Sequence, residues 1–289
     1  PYLDFCGENI GFISPCGVVA PEYFDDKGLG FLKSFTAGFM TTCGLKVAGA
    51  PCEYEGTSYG LHGNLSHTPA EDVSYVIDEN GETPCVVIRG TIRDAIIFGD
   101  KMSLNREICC YYKDRKITVR DKVKNEGFKK VRQMILYHCN IGYPILTPDS
   151  EVYIPALETK ARNEHAQEGI ANWMHPEVAD SDYEEMCYYH KLKPDENNHS
   201  KVAIFNPELD LGIAIEIDLS TLDNLVQWKM MGAGDYVMGL EPANSTIDGI
   251  EDAVNNGSMK YLEPGEVKEY NLTFHILKGR EEFEDVKNL

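Results

Sequence analysis

The stretch Ile117-Thr118-Val119-Arg120-Asp121-Lys122-Val123 alternates along its length between two kinds of side chain. Successive side chains of an extended chain point to opposite faces, so the isoleucine and the valines share one face. Thr118, Arg120 and Lys122 share the other face. A period of two is typical of a half-buried antiparallel strand whose apolar face is turned inward.

The same alternation recurs at 213–219 and 270–276, and further strands are predicted near 38–43, 73–78, 85–92, 104–112, 131–141, 187–193, 201–206 and 225–230. Turns are predicted at Glu79-Asn80-Gly81 and at Leu262-Glu263-Pro264-Gly265-Glu266, each ahead of a strand. Because the strands do not alternate with helices, the sequence predicts an all-β protein, a large antiparallel β-sandwich in a single domain over residues 1–289.

Helical patterns are few. Ser245-Thr246-Ile247-Asp248 has the pattern of a capping box and predicts a short helix through about residue 254. The charged tail 280–286 predicts a surface helix, and the polar stretch 155–186 predicts a long excursion from the sheets.

The composition excludes some partners. The 289 residues carry a formal net charge of −20. Neither a nucleic acid nor an anionic membrane is an expected partner, because no basic stripe is available to neutralise phosphates. A local basic pocket for an anionic substrate stays open.

The cysteines indicate the compartment. There are nine, an odd number with irregular spacing and no CxxC pair, which predicts reduced thiols in a cytoplasmic protein. No apolar run approaches the length of a membrane span, and no signal peptide is visible. The chain opens at Pro1 without a methionine, which suggests a processed or truncated product.

Two histidines stand in constrained settings. His62 lies between glycines in Gly60-Leu61-His62-Gly63, where the backbone can come close to a ligand. His138 ends the apolar run Met134-Ile135-Leu136-Tyr137 and needs a partner or a cavity if it is buried. Each is either a catalytic group or a histidine satisfied by local hydrogen bonds.

One carboxylate completes the set. Glu241 follows the apolar strand Tyr236-Val237-Met238-Gly239-Leu240 and precedes Pro242, which favours an extended conformation. Burial raises the pKa of a carboxyl group, as a general base working near neutral pH requires. The alternative is a cap on the following helix, for which Asn244 and Ser245 are better placed.

Other chemistries lack their motifs. The sequence contains no HExxH and no P-loop. Gly56-Thr57-Ser58-Tyr59-Gly60 has the GxSxG spacing and Gly28-Leu29-Gly30 has two closely spaced glycines, but neither has the strand–turn–helix setting of a nucleophile elbow or a dinucleotide loop. We therefore expect no cofactor and no metal. A metal site formed by residues distant in sequence stays open as an alternative.

Together these motifs resemble the aldose 1-epimerase (galactose mutarotase-like) superfamily, and most closely its branch of predicted aldose epimerases. Leu61-His62-Gly63 is similar to the first histidine motif, the segment 137–144 to the second, and Leu240-Glu241-Pro242 to the glutamate motif. Order and spacing agree over roughly residues 35–278. The resemblance implies a large twisted antiparallel β-sandwich with the sugar site on a concave face.

The resemblance also implies roles. Glu241 would be the general base on the C1 hydroxyl, His138 would protonate the ring oxygen, and His62 would stabilise developing charge. The expected ligand is a small carbohydrate and the expected reaction is anomer interconversion. The alternatives are a carbohydrate-binding protein without activity, and another sugar isomerase or lyase using the same acid–base pair.

The residues around the histidines differ from the family pattern, which leaves the sugar open. The candidate substrate-binding residues are Trp228 for stacking, Lys229 for an anionic group, Arg89 and Arg106 if their strands face the cleft, and His67 and Asn244 for hydroxyls. For Lys229 the alternative is a surface charge that aids solubility. The sequence does not settle whether the chain forms a homodimer.

Overall fold

The computed structural model describes residues 2–81 and 83–288, so the expectation about Pro1 lies outside the described residues. Its strands are β1 (Asp4–Phe5), β2 (Glu8–Asn9), β3 (Phe12–Ile13), β4 (Ala37–Gly38), β5 (Met40–Leu45), β6 (Cys52–Tyr54), β7 (Thr57–Tyr59), β8 (Glu71–Asp78), β9 (Cys85–Ala95), β10 (Lys101–Tyr111), β11 (Lys116–Asn125), β12 (Val131–Gly142), β13 (Glu151–Tyr153), β14 (Ala156–Ala161), β15 (Met186–Leu192), β16 (His199–Asn206), β17 (Leu211–Asp218), β18 (Asn224–Met231), β19 (Tyr236–Ala243), β20 (Lys260–Leu262) and β21 (Val267–Lys278). The predicted strands are confirmed.

Helices are short. The α-helices are α1 (Glu164–Glu168), α2 (Ile250–Asn255) and α3 (Arg280–Lys287), and single 3-10 turns lie at Pro21–Tyr23, Gly30–Lys33, Leu65–His67 and Ile170–Asn172. None of the helices in the described part of the chain is long and apolar enough to cross a membrane.

Two large antiparallel sheets dominate residues 2–81 and 83–288. One has eight strands in the order β13-β16-β17-β21-β11-β10-β9-β8. The other has seven, in the order β14-β15-β18-β19-β12-β20, with β5 also paired to β12. Core residues from both sheets form one large cluster that includes Val119, Leu272, Tyr137 and Leu240. The predicted antiparallel β-sandwich is confirmed.

A polar network ties the two sheets together. Asp121 occupies an inward position of β11 and is 1% exposed. It accepts a hydrogen bond of 2.8 Å from Arg106 Nε on β10 and one of 2.7 Å from the Tyr137 hydroxyl on β12. Burial without these partners would be costly, so the network explains a charged residue on an apolar face.

The seven-stranded sheet has a second, outer core. Phe31, Phe35 and Ile247 pack with Leu136 and Val226, which lie on β12 and β18. The N-terminal segment therefore covers one face of this sheet, and the space left under that cover forms the cavity described below.

One predicted helix begins later than expected. α2 begins at Ile250 after Gly249, which has a φ of 100°. Asn244 and Ser245 do not cap it, because both are buried at the end of β19. The tail helix is confirmed, and the excursion contains β14 and α1 as well as irregular chain.

Candidate active site

His138 and Glu241 lie opposite each other on neighbouring strands. In the antiparallel register of β12 and β19, Asn140 is opposite Gly239, so the next residues on the same face are His138 and Glu241. His138 Nδ1 is 3.1 Å from Glu241 Oε1. The alignment of the two atoms falls short of a hydrogen bond, and neither has another hydrogen-bond partner among the described residues.

Burial controls the protonation of both groups. The side chains of His138 and Glu241 are 6% and 2% exposed. Burial lowers the pKa of His138 to about 4. Burial, and then the charge of Glu185, raises the pKa of Glu241 well above its ordinary value, while the charge of Arg162 opposes this. Each group is therefore held toward its uncharged form.

His62 reaches the same place from a tight loop. It has a left-handed φ of 61° and is followed by Gly63 at 69°. A β-carbon at Gly63 would lie 2.8 Å from the Val47 carbonyl oxygen, so only glycine fits there. The Gly49 amide donates to His62 Nδ1 at 3.2 Å, which places the proton of a neutral ring on Nε2.

The pKa of His62 lies well below its ordinary value, first because the ring is buried and then because of the nearby His138 and Arg162 charges. Its ring centroid is 5.4 Å from that of His138. The structure thus brings His62, His138 and Glu241 together, although about 180 residues separate the first from the last.

These three residues line a cavity of about 250 Å³. Trp228 lines it as well, with its ring centroid 5.3 Å from that of His138, at an interplanar angle of 80°. The Trp228 indole N–H donates to Glu185 Oε2 at 2.7 Å, which fixes the ring as a wall.

The sequence did not point to Arg162, which also lines the cavity. Its Nε donates to Asp248 Oδ1 at 2.6 Å, and the Tyr189 hydroxyl donates to the other carboxylate oxygen at 2.5 Å. The next residue, Asn163, caps α1 by accepting from the Ala166 amide at 2.8 Å. That capping signal is visible in the sequence, but it does not reveal which surface Arg162 faces.

Lys229 lies on the opposite face of β18 from Trp228. Its side chain is 1% exposed, and Nζ is 2.8 Å from Glu177 Oε2 and 2.9 Å from the Asn172 carbonyl oxygen. The prediction that Lys229 contacts an anionic substrate in this cavity is therefore wrong. Alternation along the strand turns its side chain away from the cavity, and there it binds the excursion 155–186 through Glu177 and Asn172. It is not a surface charge either.

Arg89 and Arg106 are also placed elsewhere, in the eight-stranded sheet. Arg89 is half exposed, with Nη2 2.7 Å from Glu107 Oε2. Arg106 is committed to Asp121 and to the Thr42 hydroxyl at 2.7 Å. Arg89 and Arg106 are predicted substrate-binding residues only if their strands face the cleft. Neither residue lines the cavity, so the condition is not met.

His67 and Asn244 likewise have partners outside the cavity. The His67 ring stacks on Phe24 at 4.1 Å, and Nε2 is 3.1 Å from the Ser34 carbonyl oxygen. Asn244 is fully buried and accepts from the Ile135 amide at 2.8 Å. Both stabilise the fold around the site rather than facing a ligand.

A metal ion finds no ready ligand set. Across residues 2–81 and 83–288, no three His, Cys, Asp or Glu side chains are grouped so that they could hold one. The groups with chemistry in the cavity are the two imidazoles, the carboxylates and the guanidinium described above, together with the thiol of Cys187, whose pKa burial raises to about 12.

Comparison with solved structures defines the class of fold. A predicted aldose 1-epimerase from Klebsiella pneumoniae superposes with a TM-score of 0.94 at 26% identity, covering 99% of this chain and 76% of that chain. Galactose 1-epimerase from Lactobacillus acidophilus gives 0.60 at 11% identity, covering 95% and 86%. A galactose mutarotase-like protein from Clostridium acetobutylicum gives 0.59 at 12%, covering 83% and 79%. The fold is galactose mutarotase-like, and the expected resemblance is confirmed.

The family follows from the sequence. The model of the family described as Domain of unknown function (DUF4432) matches residues 2–276, and the chain belongs to that family. No curated protein matches the sequence.

Proposed function

We propose that this protein is an aldose 1-epimerase-like isomerase that interconverts the anomers of an aldose. The observation that carries the proposal is the pairing of His138 Nδ1 with Glu241 Oε1 at 3.1 Å beside the cavity. An acid and a base held this close suit a reaction that only moves protons and opens and closes a ring. The fold, shared with galactose 1-epimerase, supports the same class of reaction.

The pair holds one proton in its resting form. Burial favours uncharged His138 and protonated Glu241. Movement of that proton from Oε1 to Nδ1 produces the carboxylate and the imidazolium together, without a net change of charge. The separation of 3.1 Å is short enough for this transfer after a small realignment of the two groups.

The reaction then follows in balanced steps. The Glu241 carboxylate takes the proton of the C1 hydroxyl while His138 Nε2 gives its proton to the ring oxygen. The bond between C1 and the ring oxygen breaks, and the open-chain aldehyde forms. Rotation about the C1–C2 bond turns the other face of the carbonyl toward the ring oxygen. Reclosure with the proton transfers reversed gives the other anomer.

His62 supplies a fixed donor. Because Nδ1 accepts from the Gly49 amide, the Nε2–H is left to donate to a sugar oxygen. The low pKa of His62 keeps the ring neutral, so it stabilises developing negative charge as a dipole without competing for the catalytic proton. Trp228 offers an aromatic wall to the sugar ring.

A binding protein without activity is a weaker reading. Such a protein gains nothing from a carboxyl group that is 2% exposed and lacks a regular hydrogen bond, because that arrangement costs stability. A stability cost of this kind is typical of residues that are retained for catalysis.

The test is NMR exchange spectroscopy of anomers over a panel of aldoses. The wild type should accelerate exchange, and Glu241→Gln and His138→Gln should each lower kcat by about 10² to 10⁴, the range for a lost general acid or base. Normal rates in either variant would exclude the mechanism. A product other than the second anomer would indicate another isomerase or a lyase.

His190→Gln is the matched control. His190 is also buried, and burial lowers its pKa to about 4. Its ring is held by the Thr159 hydroxyl and the Gln227 side chain, each at 3.0 Å, and it does not line the cavity. This variant reports the effect of losing a buried imidazole without losing the acid.

A further inference from the structure

The cavity contains few groups that could bind sugar hydroxyls. If the proposed function holds, His62, His138 and Glu241 are occupied by C1 and the ring oxygen. Among the remaining charged side chains of the lining are Arg162 and Glu185, and one Glu185 oxygen already accepts from Trp228 at 2.7 Å. A common hexopyranose carries four further hydroxyls, and any of them turned toward the apolar part of the lining would lie out of reach of these two side chains.

Most of the lining is apolar. Leu29, Leu32, Phe35, Leu61 and Ile247 all face the cavity. Leu29 and Leu32 remain 60% and 52% exposed, which places two large apolar side chains at the mouth. A hydroxyl pressed against this wall would lose water without gaining a partner. A C–H group at the same place would gain contact.

The charges at the cavity disfavour an anion. Arg162 supplies the guanidinium of the lining, and its Nε is bonded to the Asp248 carboxylate. The Glu185 carboxylate faces the same space, while burial holds the two histidines of the cavity and Glu241 toward their uncharged forms. A phosphate or carboxylate on the sugar would therefore meet more negative than positive charge.

The size of the cavity sets a further limit. Its volume of about 250 Å³ lies below the range of roughly 300–1,000 Å³ that is usual for drug-sized ligands. A single monosaccharide fits this volume better than a longer saccharide.

We propose that the substrate is an uncharged deoxyaldose, a monosaccharide in which at least one hydroxyl is replaced by hydrogen and whose deoxy carbon lies against the wall formed by Leu29, Leu32 and Leu61. The inference rests on the proposed function of the same site. It identifies Leu29, Leu32 and Leu61 as determinants of specificity.

The experiment compares anomer exchange within matched pairs of sugars. The pairs are D-galactose with 6-deoxy-D-galactose, D-glucose with 6-deoxy-D-glucose, and D-glucose with 2-deoxy-D-glucose. D-glucose 6-phosphate and D-glucuronate test the charge. In at least one pair, kcat/KM should be about 10- to 100-fold higher for the deoxy member, the discrimination that an apolar pocket achieves against an added hydroxyl.

Each outcome bears on a different claim. Equal or higher kcat/KM for the hydroxylated member of every pair, or preference for an anionic sugar, would overturn the inference and leave the epimerase proposal intact. Acceleration of no sugar at all would overturn both.

A variant tests the wall itself. Leu29→Gln gives a hydroxyl a partner, so the preference for the deoxy sugar should fall several-fold. Leu157→Gln is the control, because Leu157 is 61% exposed, close to the 60% of Leu29, but lies outside the cavity. An unchanged preference in Leu29→Gln would contradict the role of the wall.

Discussion

Gly239 leaves the space that the Glu241 carboxylate occupies. A β-carbon at Gly239 would lie 2.3 Å from Glu241 Oε1 and 3.0 Å from the β-carbon of Trp228. The two residues share one face of β19, two positions apart. Gly239, which in the sequence is only a small residue in an apolar strand, therefore determines where the carboxylate of the proposed base Glu241 lies.

Gly239→Ala should consequently lower kcat by about 10²-fold, the cost of moving a catalytic group by about 1 Å. Stability should fall by about 1–3 kcal/mol, because the carboxylate end of Glu241 can move aside but the Trp228 β-carbon, next to its backbone, has little room to move. Steady-state kinetics and urea unfolding measure the two effects separately.

Gly90→Ala is the matched control on β9. There the nearest atom, Val73 Cγ2, would lie at 3.5 Å, an ordinary contact. Full activity in Gly239→Ala would contradict the role given to this glycine.

The local pattern of the sequence predicts the strands well, since alternation depends only on neighbours along the chain. Trp228 and Lys229 are neighbours on one strand, so the same alternation turns them to opposite faces, and a site expected to include both side chains can include one of them. Which face borders the cavity depends on the other strands and on the N-terminal cover, and this is why Lys229 was misplaced and Arg162 was missed. Asn244 was misplaced for a related reason: a polar residue near a motif is as useful to a buried backbone as to a ligand.

Glu241 should cost stability at neutral pH. Burial raises its native pKa above the ordinary 4.5 of the unfolded chain, so the native state binds the proton more tightly. The resulting stability is fully present below pH 4.5 and is lost as the pH rises through the native pKa.

Glu241→Gln removes this loss. The free energy of unfolding of the variant should equal that of the wild type below pH 4.5. At pH 8 it should exceed that of the wild type by about 1 kcal/mol or more, since one pKa unit corresponds to 1.36 kcal/mol. Urea unfolding over pH 4–8 measures the difference, with the exposed Glu208→Gln as control. A variant that is less stable than the wild type at pH 8 would exclude this account.

The buried Lys229 should contribute to the free energy of unfolding and should not affect how the protein responds to charged sugars. Glu177→Gln keeps a side-chain oxygen that can accept from Lys229 but removes the negative charge facing the buried ammonium, whose other close partner is the Asn172 carbonyl oxygen. The expected loss is about 1–3 kcal/mol, below the value for a fully buried pair, because Glu177 is 42% exposed. Response to anionic sugars should not change.

Asp25→Asn provides the comparison, since it breaks the exposed pair with Lys33 at 2.8 Å. It should leave unfolding unaffected within error. Equal effects of the two substitutions would show that the burial of Lys229 carries no energetic weight.

Glu185 and Arg162 should move the pH profile in opposite directions. The Glu185 charge raises the pKa of Glu241 and the Arg162 charge lowers it. Because Glu241 and His138 titrate as a pair, both limbs of log(kcat/KM) against pH should shift together.

Glu185→Gln can keep the hydrogen bond from Trp228, and it should move the profile to lower pH. Arg162→Met should move the profile to higher pH. The shifts should be a fraction of a pH unit and should shrink at high salt. Shifts in the same direction for both variants at low salt would contradict electrostatic tuning of the pair and would indicate that these residues act through substrate binding alone.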